Sequence, residues 1–364
     1  VAAAAVLLLL LVAQQGEEVD FGSTTARRVK LLRDENPAVR RRAAELLAYA
    51  PADEAIAGLL EALDDPDTGV RVAVASALEA MADERAVPFL AQRLEQETVP
   101  RALVPALLAM GACGKPYVAR RVLPFLEHPT REVRGAAATA LGRIGDAGQR
   151  DALWAALRYA PDDPTFSVRT AILGAFVDLG WKEDVRTALQ ELTAKGAKRH
   201  WEARGRMLLA IGAAGITEEK DWARQELGSD DPRIVAAAAD ALARLGERDE
   251  VFRCLSHESP VVRRAALVAL DEVGDPRAVP KALAFVREDP DVNVRFEAVL
   301  VLDHAGNPEA DVYLVDALKA RDPVIWITAL GTLERRHGCS FGRDPEAWAD
   351  FLKKRQGGSG GRPK

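Results

Sequence analysis

The chain has 364 residues, of which 48% are hydrophobic and 29% charged, a globular composition long enough for more than one ordinary domain. A formal net charge of −6 argues against a general nucleic-acid binder, which needs a basic surface to displace counterions. Three cysteines with no close pair exclude a disulfide scaffold or a cysteine-rich zinc module. Aromatics make up only 5%, and Ala and Leu supply most of the apolar content, which favours helices over strands.

In chain order, the first feature is the run AAAAVLLLLLVA at residues 2–13. As a helix it reaches ~18 Å, against about 30 Å for a bilayer core, so it fits the apolar region of a signal peptide better than a membrane span. Residues 1–16 are therefore expected to be a signal peptide or hydrophobic leader, with the protein exported to the periplasm or beyond. Contact with a membrane is expected only through an uncleaved leader.

The rest of the chain repeats itself. NPAVRRRAAELLA from Asn36, HPTREVRGAAATALGRIG from His128, SPVVRRAALVALDEVG from Ser259 and DPDVNVRFEAVLVLDHAG from Asp289 share a Pro turn, then Val-Arg, then an Ala/Leu helix. The marker positions Arg40, Arg71, Arg101, Arg134, Arg169, Arg204, Val235, Arg263 and Arg295 fall roughly 28–35 residues apart. A second mark runs in phase: Gly145, Gly180, Gly215, Gly246, Gly274 and Gly306 each follow a marker by the same interval, and Gly338 closes a last repeat. Glycine there suits the left-handed residue that ends a helix. Each repeat reads as two helices. On the second, apolar residues recur at Val262, Ala265, Ala266, Ala269, Leu270 and Val273, one face of an amphipathic helix. Neither helix buries that face alone, so the repeats must stack.

The stretch GDPRAVPKALAFVREDPDVNVRFEAVLVL, from Gly274 to Leu302, resembles the HEAT-repeat family, in its short bacterial form named after phycobilisome lyase subunits. The resemblance implies an all-α, right-handed α-solenoid of about ten two-helix repeats over residues 17–338, in which arrays mostly serve as binding scaffolds. It also implies a buried Asp–Arg ladder. A repeated Arg at a helix start opposes the helix dipole and needs a partner. Six residues before the arginines stand Asp34, Asp65, Glu95, His128, Asp163, Lys198, His257 or Asp289, mostly acidic. The ladder residues are thus Arg40, Arg71, Arg134, Arg169, Arg263 and Arg295 with Asp34, Asp65, Asp163 and Asp289, in contacts across the turns of neighbouring repeats.

No catalytic constellation stands out. There is no GxGxxG, P-loop, GxSxG or HExxH pattern. HEAT-type iron hydroxylases use several His-Glu pairs, and this chain has only His257-Glu258. Cofactor, metal and nucleic-acid partners are therefore not expected, and protein partners of unknown identity are. Two surfaces are candidates for them. The first is the basic turn with Lys198, Arg199 and Trp201, although Trp201 is expected to pack on its own repeat. The second is the face of the late second helices that points away from the core, with Phe296, Val299, Leu300 and Asp303, and Val268 in the matching place one repeat earlier.

Near the end, Trp326 replaces the usual Val and Ile327 the usual Arg. Residues 339–355, containing FGRDPEAW, read as a capping helix with Asp344 at its start and Trp348, Phe351 and Leu352 on one face. Residues 356–364 read as a flexible tail. The expected function is a non-enzymatic, exported scaffold that binds proteins on its concave surface; the alternative is a chromophore-lyase-like enzyme or an accessory subunit of an enzyme complex.

Overall fold

A computed structural model describes residues 25–357 apart from 51, 161, 162 and 307. The leader segment 1–16 and residues 358–364 of the expected tail lie outside the described residues. Among those described, all regular structure is helical, and the protein is an α-solenoid built from paired helices.

The helices fall into two compact blocks that divide after Ala210. The first block holds α1 (Thr25–Leu31), α2 (Pro37–Leu47), α3 (Asp53–Glu61), α4 (Thr68–Met81), α5 (Val87–Gln96), α6 (Pro100–Cys113), α7 (Ala119–Val122), α8 (Arg131–Ile144), α9 (Arg150–Tyr159), α10 (Ser167–Asp178) and α11 (Lys182–Ala194). Its second helices α2, α4, α6, α8 and α10 lie side by side in that order. Helix α12 (Trp201–Ala214) carries the dividing point. The second block holds α13 (Lys220–Glu226), α14 (Pro232–Arg244), α15 (Arg248–Cys254), α16 (Pro260–Glu272), α17 (Ala278–Glu288), α18 (Val292–Ala305), α19 (Pro308–Ala317), α20 (Pro323–His337) and α21 (Pro345–Gly357). Here α14, α16, α18 and α20 form the corresponding row.

Local chemistry explains the helix limits. Asn36, Asp67, Asp231, Asp291 and Asp322 accept a hydrogen bond from a first-turn amide, and Pro follows directly at α2, α14 and α20, where its missing N–H costs nothing. All seven marker glycines have positive φ and close their helices. In the repeat of Arg71 the same place is held by Ala82, at φ 51°. Helix α17 starts at Ala278, three residues after Asp275. The carboxylate of Asp275 accepts the Arg277 amide at 2.9 Å and pairs with its guanidinium at 2.8 Å, making a tight turn before the helix.

The buried face of a second helix is wider than periodicity predicts. In α16, Leu267 is buried beside Val262, Ala266, Ala269 and Leu270, whereas Ala265 and Val273 are half-buried. A second helix touches its own first helix and a second helix on each side, so three contacts demand a broader apolar stripe than one. Small residues set the spacing within the row. A Cβ added at Gly111 would lie 2.7 Å from the Cα of Ala140, and one at Gly142 would lie 2.7 Å from the Cα of Ala175. The backbones of α6, α8 and α10 therefore approach as closely as sterics allow.

The C-terminal segment closes onto the second block. Trp348 is fully buried, donates its indole N–H to the Gly342 carbonyl at 3.0 Å, and meets Phe341 edge-on at 5.0 Å. Asp344 accepts the amides of Glu346 and Ala347 at 3.0 Å and so caps α21, which extends to Gly357, past the start assigned to the tail. Helix α20 departs from the expected register. Asp322 is its N-cap and Ile325 is fully buried, so Ile325 takes the usual Val place and Trp326, not Ile327, takes the usual Arg place. Arg343 stacks on Trp326 at 4.7 Å and donates to the carbonyls of Leu318 and Ala320, both at 2.8 Å. An arginine from the closing segment thus serves the turn whose own arginine is missing.

Candidate functional site

The arginines do two things at once. Nη1 of Arg263 donates to the turn carbonyls of His257 and Glu258 at 2.9 and 2.8 Å, while Nε and Nη2 grip the Asp289 carboxylate of the next repeat, both at 2.8 Å. Arg40 repeats this with the carbonyls of Asp34 and Glu35 and the carboxylate of Asp65, at 2.6 and 2.9 Å. Arg71 holds the carbonyls of Asp65 and Pro66 and the carboxylate of Glu97. Glu97 stands where Glu95 was expected; Glu95 instead pairs with Arg121 on the surface. The carboxylate also accepts the N-cap amide of the following helix: Asp65 from Asp67, Glu97 from Val99, Asp289 from Asp291. His128 and His257 fill that acceptor role through Nδ1, toward Thr130 and Ser259 at 3.0 Å. That local bond explains why two histidines recur at equivalent positions.

The other arginines vary the theme. Arg134 donates to the carbonyls of His128 and Pro129 at 3.0 and 2.9 Å. Arg169 turns to Asp163 of its own repeat at 3.4 Å and to the carbonyl of Ala160 at 2.9 Å. Arg101 is exposed. Burial pushes the carboxyl groups of Asp289 and Glu97 up. Hydrogen bonds from Arg263 and Arg71, and from the cap amides, outweigh it, and both groups stay below their ordinary range.

The basic turn is arranged around Ala197, which is fully buried. Lys198 is half-buried and Arg199 exposed. Trp201 is 46% exposed. It opens α12 directly after the turn, and the neighbouring His200 ring meets Phe166 at 5.2 Å.

The late second helices form a groove of about 510 Å³ between α16 and α18. Val268 and Leu300 both line it. Phe296 is half-buried and is not part of the lining, and Val299, expected to face outward, is fully buried against the row. Position five after the Val faces the neighbouring second helix, which a two-sided view of the helix misses. Around the apolar pair stand Asp271, Glu272, Glu297, Asp303 and His304. His304 Nδ1 lies 2.9 Å from Asp271, whose hydrogen bond and charge raise the imidazole above its ordinary pKa. Burial pushes Glu297 up, Arg264 draws it down, and Asp271 pushes it up again, with a net rise. Asp303 is paired with Arg335 at 2.5 Å and Glu272 with Arg244. The groove therefore combines an aliphatic floor with an acidic rim, a surface suited to an apolar anchor flanked by basic residues.

Elsewhere the chemistry is quiet. Cys113 and Cys254 are buried and Cys339 half-buried, all as free thiols, and burial pushes Cys113 up to about 11. Among the described residues no group of three or more His, Cys, Asp or Glu side chains is placed to hold a metal ion. None of the described helices is long and apolar enough to cross a membrane.

This chain is similar to several known proteins. Phycocyanobilin lyase subunit alpha of Nostoc sp. is 36% identical over 117 residues, covering 29% of this chain and 42% of that protein. A HEAT repeat-containing taxis protein of Halobacterium salinarum is 38% identical over 120 residues, covering 32% and 26%. The chain thus spans less than half the length of these curated relatives. Among solved structures, Kap121p bound to Nup53p is similar at 13% identity and TM-score 0.43, covering 90% of this chain and 42% of that one. The complex of CpcE and CpcF of phycocyanin lyase from Nostoc sp. is similar at 19% identity and TM-score 0.31, covering 93% and 99%. The family model for HEAT repeats matches residues 25–104, 103–176 and 248–334, well over half of the sequence, and the chain belongs to the HEAT-repeat family.

Proposed function

We propose that this protein is a non-enzymatic scaffold, exported by its apolar leader, that captures protein partners on the face formed by its second helices. The observation that carries this reading is the α16–α18 groove, where Val268 and Leu300 are left accessible inside a ring of carboxylates. The partner segment it suits carries an aliphatic or aromatic anchor between Lys or Arg residues. The test is a paired capture experiment with the wild-type chain and the double variant Val268→Asp, Leu300→Asp. Proteins held by the wild type are expected to fall at least tenfold with the variant while far-UV circular dichroism stays unchanged. Equal capture by both would refute the site. N-terminal sequencing of the mature protein tests export.

A second reading is a chromophore-lyase-type subunit, and the observation favouring it is the 36% identity with phycocyanobilin lyase subunit alpha. Incubation with phycocyanobilin decides between the two. A coloured species that survives gel filtration supports the lyase reading, and an unbound chromophore supports the scaffold.

A further inference from the structure

The repeating arginine has an exception that points to a ligand. Arg40, Arg71 and Arg263 each hold a carboxylate through Nε and Nη2, and it comes from the residue two places before the next N-cap: Asp65 before Asp67, Glu97 before Val99, Asp289 before Asp291. Arg295 keeps the other half of the arrangement. Its Nη1 donates to the carbonyls of Asp289 and Pro290 at 2.8 and 3.1 Å. The next N-cap is Asp322, and the residue two places before it is Ala320, which has no carboxylate to offer. Nε and Nη2 of Arg295 have no partner among the described residues.

The surroundings reinforce the point. Arg295 and Ala320 line an open groove of about 820 Å³ together with Arg287, Lys319 and Arg321. Arg287 and Lys319 share Asp316, at 2.8 and 3.3 Å. Asp322, the other acid in the lining, caps α20 through the Val324 amide. Arg321 is exposed and has no partner among the described residues. A chain with an overall charge of −6 thus gathers four cations against two anions here, and places an arginine fork at the position where the same fork binds a carboxylate in three other repeats.

We propose that the Arg295–Arg321 groove is a carboxylate-binding site, in which Arg295 holds the ligand bidentately from one side and Arg321 supplies a second charge at the mouth. The planar fork of Arg295 matches a carboxylate, with N–O distances of about 2.7–2.9 Å expected. The site lies at the N-terminal end of α18, apart from the α16–α18 groove, and does not rest on the scaffold reading.

The fold supplies its own test, because Ala320→Asp restores the missing acid in cis. The probe is a fluorescein-labelled hexaglutamate peptide followed by anisotropy, with sodium acetate as competitor at constant ionic strength. The wild type is expected to bind the peptide, Ala320→Asp to bind at least tenfold more weakly, and Arg321→Ala to bind several-fold more weakly. Ala320→Asp is also expected to raise Tm by about 2–4 °C, because it completes a rung and accepts the Asp322 amide. Displacement by acetate identifies a free carboxylate as sufficient; peptide binding that resists acetate assigns the ligand to an acidic side chain within a polypeptide. Equal affinity in wild type and Ala320→Asp, or no binding by the wild type, overturns the proposal. Should Ala320→Asp fail to fold, Arg321→Ala carries the decision, since Arg321 is exposed in the turn.

Discussion

Replacing Asp289 by alanine removes one carboxylate and disturbs two repeats. The side chain of Asp289 is 2% exposed and that of Arg263 is 11% exposed, so the pair is buried and bidentate. Asp289 also accepts the Asp291 amide at 3.0 Å and thereby fixes the start of α18. Breaking a buried pair from one side strands the remaining charge and costs about 3–5 kcal/mol. For a cooperative block of this size that corresponds to a drop in Tm of roughly 6–20 °C. The measurement is thermal unfolding followed at 222 nm for Asp289→Ala, Arg263→Met and the double variant. The two single losses together are expected to exceed the loss measured in the double variant by at least about 1 kcal/mol, because the second removal takes away a charge that the first had already stranded. A Tm change under about 2 °C for Asp289→Ala, or strict additivity, would refute the claim that this rung holds adjacent repeats together.

Three further outcomes are expected. Ala82→Gly should stabilise by about 0.5–1 kcal/mol, because the left-handed φ of 51° strains any residue with a Cβ, and chemical denaturation would register it as a higher midpoint. Gly142→Ala should destabilise by about 1–3 kcal/mol, since its Cβ would sit 2.7 Å from the Ala175 backbone and α8 and α10 would have to part; an unchanged midpoint would deny the close approach. The acid limb of stability should be steep. Glu97 and Asp289 are depressed below their ordinary values of 4.5 and 3.8, and Asp83, held by Arg85, lies near about 2. In that range the unfolded chain binds more protons than the folded one. Their contribution is therefore complete above about pH 5 and lost as pH falls through the folded values, and Asp289→Ala should flatten the limb measured between pH 5 and 2.

Much of the architecture was legible because two marks run in phase: the Val-Arg near the start of most second helices, whose Arg serves the turn carbonyls, and the glycine whose positive φ ends most of those helices. What escaped was whatever depends on the neighbouring repeat. Position alone favoured Glu95 over Glu97, yet only Glu97 sits two places before the N-cap, where it can meet both Arg71 and the Val99 amide. Amphipathic spacing put Val299 outside, but a helix pressed on two sides buries that flank as well. Spacing alone put Trp326 in the Val place, one position off, because only the capping of α20 by Asp322 fixes that helix's register. For the site, Val268 and Leu300 were legible as outward apolar residues, whereas the acidic rim was not, because its members come from two helices whose relative rotation no single sequence window contains. The exception at Arg295 was invisible for a related reason: the residue that matters is an alanine.

The joints described above have a direction. In Arg40, Arg71 and Arg263 the guanidinium is a plug carried by one repeat, and the turn of the next repeat is its socket. A whole repeat duplicated at a turn arrives with both fittings and can be spliced in without leaving either side open. Half a repeat cannot. Arrays jointed this way are free to change length, but only in full steps, and a broken step should announce itself as an orphaned plug of the kind Arg295 displays.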